Sequence, residues 1–136
     1  METRRIVVSL PSGDSFGWGI CGDMLRREIV DYEECLDPND DTPKVYRLPM
    51  LHAIQGTCML PIRVNRWSSI KNVGFCFIEE SENVKRYAAN AARYFDHVVA
   101  GSTWCRDILL EAGLTNVSAA IQGVDFAEFS PGIAAD

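Results

Sequence analysis

Gly17-Trp18-Gly19-Ile20-Cys21-Gly22 spells G-x-G-x-x-G near the start of the chain. Glycines at that spacing, between a strand and a helix, let backbone approach a phosphate that then meets the free N–H groups of the helix start. Gly17 and Gly19 are therefore candidates for holding a diphosphate. Two features separate the run from the dinucleotide fingerprint. Roughly six residues lie between Leu10, the end of the preceding apolar run, and Gly17, where the fingerprint expects its first glycine almost at once. The next strand candidate ends in Arg47-Leu48, without the acid that would hold a ribose. A dinucleotide site, a phosphate-tolerant loop and plain turn-and-packing glycines all remain open.

Glu79 and Glu80 follow the apolar run 72–78. Paired carboxylates at a strand exit suit general acid/base work or the binding of hydroxyl groups. Acids also favour the first turn of a following helix, where they complement its dipole. The two histidines differ in setting. His52 follows the second strand candidate and is a candidate to reach a site on that edge, whereas His97 begins a strand and reads as structural. Asp37, Asn39 and Asp41 mimic the first half of a calcium loop, but Thr42 stands for its glycine and Leu48 for its closing Glu. No metal site is expected. The five cysteines form no C-x-x-C pair, which points to reduced, mostly buried thiols in a cytoplasmic-type compartment.

These residues need elements to position them. Ile6–Leu10 is a short β-branched run suited to a strand buried on both faces. Apolar positions from Ile20 onward recur at helical spacing and predict a helix to about Glu34. The acid-rich run from 31 to 43 reads as a solvated loop. Lys44–Leu48 is a second strand candidate, and residues 49–70 show no period. Asn72–Ile78 predicts a third strand, and Val84, Tyr87, Ala88, Ala91 and Phe95 mark the face of a second helix. Val98–Ala100 is a fourth strand. Ser102 caps a third helix that Gly113 ends, and Val117–Ile121 is a fifth strand. AIQG occurs at Ala53 and Ala120 with different neighbours, so no internal repeat is read.

Alternating strands and helices predict an α/β fold: a single Rossmann-like domain, with a mostly parallel sheet of about five strands and helices on both faces. The expected strand order is 3-2-1-4-5, with ligands past the carboxyl ends of the strands at the switch point. Loops 11–19 and 101–103 and the exit at Glu79-Glu80-Ser81 border that crevice.

The chain has 136 residues, 47% of them hydrophobic, within the range of one ordinary domain. A net charge of −6 argues against a broad basic face for nucleic acid or anionic membrane. The apolar run of METRRIVVSL is too short for a signal peptide or a membrane span.

The run from Phe95 to Leu114, FDHVVAGSTWCRDILLEAGL, resembles the group 1 glycosyltransferases of the GT-B class. These commonly carry an "fD-x-v-x-x-S-x-w" element, a helix, a glycine, a strand and then "x-G-V-D-x-x-x-F-x-P". Gly123-Val124-Asp125 through Phe129-Ser130-Pro131 matches that last element. Val73–Ser81 (VGFCFIEES) looks like their strand exit, and SFGWGICG like their glycine-bearing first loop. The likeness spans roughly residues 5–132.

The resemblance implies the amino-terminal, acceptor-side domain over residues 1–130, with 131–136 beginning a linker or tail. Such enzymes move a sugar from a nucleotide-sugar to an acceptor, usually with retention and without a required metal. Gly17 and Gly19 would approach the donor diphosphate, and Glu80 and Ser102 would line the acceptor side of the cleft, joined by Glu79 and His52 as cleft-lining candidates from their own strand positions. Where many relatives place a cleft histidine, this chain carries Glu79-Glu80. No cofactor is implied beyond the donor substrate. The partners implied are donor, acceptor and a second, carboxy-terminal Rossmann-like domain, without which the chain turns over no nucleotide-sugar. Two alternatives stay open. One is a non-catalytic binding module that self-associates through its exposed face. The other is an NADP-binding domain.

Overall fold

Val7 and Val8 are adjacent, fully buried and packed into different clusters on the two faces of one sheet. They belong to β1 (Ile6–Ser9), the doubly buried strand expected of such a β-branched run. The computed structural model describes residues 5–35, 44–62, 67–123, 127 and 132. In chain order, β1 is followed by α1 (Gly17–Glu28), β2 (Tyr32–Glu34), β3 (Lys44–Tyr46), β4 (Met50–Gln55), β5 (Leu60–Pro61) and β6 (Trp67–Ser69). Then come β7 (Asn72–Cys76), α2 (Ser81–Tyr94), β8 (His97–Ala100), α3 (Thr103–Glu111) and β9 (Val117–Ala119).

The main sheet runs β2-β1-β4-β7-β8-β9, every neighbouring pair parallel, with β5 antiparallel on β4. The fold is α/β and Rossmann-like, as the alternation predicts. Right-handed crossovers place its helices. The step from β1 to β2 moves one way along the sheet and puts α1 on one face. There Leu25 and Ile29 pack with Val8, Leu10 and Ala53. The steps through β7, β8 and β9 move the other way and put α2 and α3 on the opposite face. That face buries Val84, Ala88, Ala91 and Leu109 against Ile54, Cys76, Val98 and Ala100. Each large aliphatic side chain so buried stabilises the fold by roughly 1.5–3 kcal/mol.

Three sequence expectations change. Strand order, counted over the parallel strands alone, is 2-1-3-4-5-6 rather than 3-2-1-4-5, because β4 lies within 49–70 and takes the place beside β1. The first helix ends at Glu28 rather than near Glu34, since Tyr32–Glu34 is the edge strand β2, in register with Ile6–Val8. Ile29 and Tyr32 still reach the same cluster, which is why their spacing mimics a continuing helix. Lys44–Tyr46 is a strand, but it pairs with β6 in a separate two-stranded sheet.

Ser102 caps α3 as expected, its Oγ accepting from the Cys105 N–H at 3.1 Å. Gly113 follows the helix with φ +97°, a left-handed conformation that suits glycine. Positions 37, 39 and 41, the partial calcium loop, lie outside the described residues, as does the proposed tail 131–136 apart from Gly132. Among the described residues no helix is long and apolar enough to cross a membrane. None of the five cysteines forms a disulfide.

Candidate functional site

The loop after β1 is fastened to α1 at several points. A Cβ on Gly22 would lie 2.0 Å from the Pro11 carbonyl oxygen, and one on Gly19 2.2 Å from that of Gly13. Both glycines therefore let the helix backbone pass against the loop. Arg26, one turn further along, donates to the carbonyls of Leu10 at 2.7 Å and Pro11 at 2.9 Å and pairs with Glu34 of β2. Asp23 accepts from Ser12 Oγ at 2.7 Å and from the Gly13 N–H at 3.0 Å. Those two bonds hold its carboxyl below the usual carboxylate range. Gly17 is different: nothing lies within 4 Å of a Cβ built there, and it borders a cavity.

That cavity measures about 580 Å³ and sits past the carboxyl ends of β1, β4 and β7. Chain order reverses between β1 and β4, so this is the switch-point crevice of an open α/β sheet. Trp18 and Phe77 form an aromatic wall, their ring centroids 5.2 Å apart. Phe75 braces both rings from within the sheet, edge-on to each. Ile20, Met24, Ile62 and Ile78 extend the apolar lining. Polar groups come from the turn after β4 (Gln55, Thr57), from Glu79, Glu80 and Asn83, and from Gln122.

Gln122 follows β9 at the far edge of the sheet, yet its amide reaches Cys21 Sγ at 3.2 Å, tying the end of the sheet back to α1. Burial pushes the Cys21 thiol up, partly offset by that contact, so it is a poor nucleophile. Glu80 occupies the N-cap position of α2 but makes no capping hydrogen bond. Its carboxylate accepts from Asn83 Nδ2 at 3.0 Å instead, at the cavity rim. The start of α1 carries neither a side-chain cap nor an acid in its first turn.

Of the residues singled out in the sequence, Gly17, Glu79 and Glu80 come together at this cavity. Gly19, Ser102 and His52 do not line it. Gly19 is buried against Gly13, and the hydroxyl of Ser102 is taken up by the α3 cap. His52 lies within β4 rather than after a strand, and its ring packs edge-on against Tyr94 and Phe95 at the end of α2. Its Nε2 lies 3.0 Å from Asn72 Oδ1, at the start of β7, so the imidazole points toward the other end of the sheet. His97 Nε2 lies 2.8 Å from Ser118 Oγ across β8 and β9, a structural contact.

Sequence reading missed Trp18, Phe77, the Gln55–Thr57 turn and Gln122. Trp18 was visible between its two glycines, and an aromatic at a crevice glycine is a usable signal. The turn was hidden because its strand was. Among the described residues no cluster of His, Cys, Asp and Glu is arranged to hold a metal ion.

The acid absent from the second strand candidate exists in the true second strand: β2 ends in Glu34. Both of its carboxylate oxygens, however, are engaged by the Arg26 guanidinium. Compared with known proteins, the chain matches no protein-family model, no curated protein and no solved structure.

Proposed function

We propose that the chain is the amino-terminal, acceptor-side domain of a retaining GT-B-type glycosyltransferase that moves a sugar from a nucleotide-sugar to an acceptor. The observation that carries the reading is the split polarity of the crevice. Part of its lining is the start of α1, with backbone N–H groups and no acid; another part is the Glu79-Glu80 exit of β7. Backbone N–H groups at a helix start stabilise a departing diphosphate, and carboxylates bind hydroxyl groups. These are also the two segments, 15–22 and 73–81, that carry the upstream part of the glycosyltransferase resemblance.

In this reading Gly17 lets the diphosphate approach α1, Glu79 and Glu80 receive the acceptor, and a second domain holds most of the nucleotide. Ile20, which lines the cavity, is 45% exposed, and nearby in sequence Phe16 is 47% exposed. Beside Gln122, Ile121 is 75% exposed. Such an apolar rim fits a crevice that a facing domain covers. Thiols without disulfides are in keeping with a reducing, cytoplasmic compartment.

The NADP-binding alternative is weakened at the end of β2, where an acid, Glu34, opposes a 2′-phosphate and both of its oxygens are taken by Arg26. Tryptophan fluorescence titrations separate the readings. UDP-glucose and GDP-mannose, which share the diphosphate, are expected to quench tryptophan emission at millimolar concentration in the parent chain but not in a Trp18→Phe variant, and NADPH to bind no more tightly than either. Micromolar NADPH affinity would move the assignment to the dinucleotide class. A response to none of the three would leave a binding module without a nucleotide site.

A further inference from the structure

The described lining of the crevice contains two carboxylates and no Lys, Arg or His. Much of its lining is aromatic and aliphatic, and its volume of about 580 Å³ falls within the range of small-molecule sites. Glu79 and Glu80 are both exposed at the rim, and the Glu80 carboxylate is spent neither on capping α2 nor on an ion pair among the described residues. An indole in the same wall adds a π face that attracts cations.

We infer that the crevice takes a small amphipathic molecule with an apolar ring at one end and a protonated amine at the other. The inference rests on the acceptor-side reading and names the class of acceptor. The ring lies against Trp18 and Phe77, burying apolar surface on both sides. The ammonium meets Glu79 and Glu80, where an anionic group of the same size is repelled. Gln55, Thr57, Asn83 and Gln122, which also line the crevice, offer donors and acceptors for hydroxyl groups. A carboxylate-bearing or phosphorylated acceptor finds no counter-charge at the Glu79–Glu80 end. The charge preference is set by the pair of acids and the affinity by the aromatic wall, so the two are separable by mutation.

Tyramine and 4-hydroxyphenylacetate share one ring and hydroxyl and differ in the sign of the side-chain charge. Both would be titrated into the intact chain while the Trp18 indole N–H is followed by NMR. Tyramine is expected to bind saturably and at least about fivefold more tightly than the anion, in line with two exposed charge pairs. In a Glu79→Gln/Glu80→Gln double variant the preference should fall to within about twofold, with tyramine weakened and the anion gaining. Equal affinities, a preference for the anion, no saturable binding of tyramine, or an undiminished preference in the double variant would each overturn the inference. The outcome is distinguishable from that of the domain assignment. Loss of the amine preference while nucleotide-sugars still quench Trp18 removes only the acceptor class. Amine binding without any nucleotide-sugar response supports the site and removes the glycosyltransferase reading.

Discussion

The imidazole of His52 is 1% exposed, with Nε2 bonded to Asn72 Oδ1 and Nδ1 without a partner. Ser69 fixes the Asn72 amide, its N–H donating to Oδ1 at 3.0 Å and its carbonyl accepting from Nδ2 at 3.1 Å. Oδ1 is therefore an acceptor and Nε2 carries a proton. Burial holds the ring's basicity below the ordinary histidine range, more than the Asn72 bond restores it. The unfolded chain takes up a proton near pH 6.5, before the folded one does. Stability from this residue is thus complete above about pH 6.5 and declines as pH falls from there toward the depressed folded value. Urea midpoints should drop between about pH 7.5 and about pH 5.5, and His52→Gln should show a smaller drop from its own lower starting point. Equal drops in the two proteins would place the acid sensitivity elsewhere. The thiol of Cys76, pushed up to about 12 chiefly by burial, is likewise withdrawn from chemistry. Sequence reading expected mostly buried cysteines, and all but Cys58 are buried, but it sent His52 to the crevice. A histidine's type does not reveal which face of a strand it occupies when the strand itself is unread.

In α1 two glycines and one arginine do what the G-x-G-x-x-G spelling attributes to a phosphate. Gly19 and Gly22 bring the helix against the 11–13 backbone, and Arg26 bonds the carbonyls at the end of β1. Gly22→Ala places a methyl group on the Pro11 carbonyl and is expected to cost about 1–3 kcal/mol, read as a lower urea midpoint. Gly17→Ala has open space and should be neutral or stabilising by up to about 1 kcal/mol, because alanine gives up less backbone freedom in a helix. If the two substitutions were equally costly, the packing role of the later glycines would be wrong. The helices were legible because their apolar faces repeat at helical spacing and Ser102 and Gly113 mark the ends of α3. β2 was not, being three residues long at the sheet edge with a tyrosine where a longer helix would also place one. β4 escaped because Pro49 and Gly56, which bound it, look from the sequence like interruptions. Buried on both faces, it also lacks the alternation that identifies a half-exposed strand.

Across the molecule, the general rule for parallel sheets located the crevice even though the strand order came out differently. The switch point is between β1 and β4, and the exit of β7 and the start of α1 both reach it. That convergence joins residues about sixty positions apart in the chain and follows from parallel topology, which sends every strand's carboxyl end to one edge. The individual lining was less legible, since Gln122 arrives from beyond the last strand and the Gln55–Thr57 turn from an unread one. The acceptor-side reading makes the two ends of the crevice chemically different, and an amide-resolved NMR titration with inorganic pyrophosphate tests this without assuming a sugar or a base. Saturable shifts are expected at the amides of Gly17 and Trp18, with Gly19, His52 and Ser102 outside the contact and the Glu79–Asn83 amides little changed. Shifts centred on another part of the sheet edge, or none at millimolar pyrophosphate, would contradict the assignment of this crevice to a diphosphate-bearing donor and its acceptor.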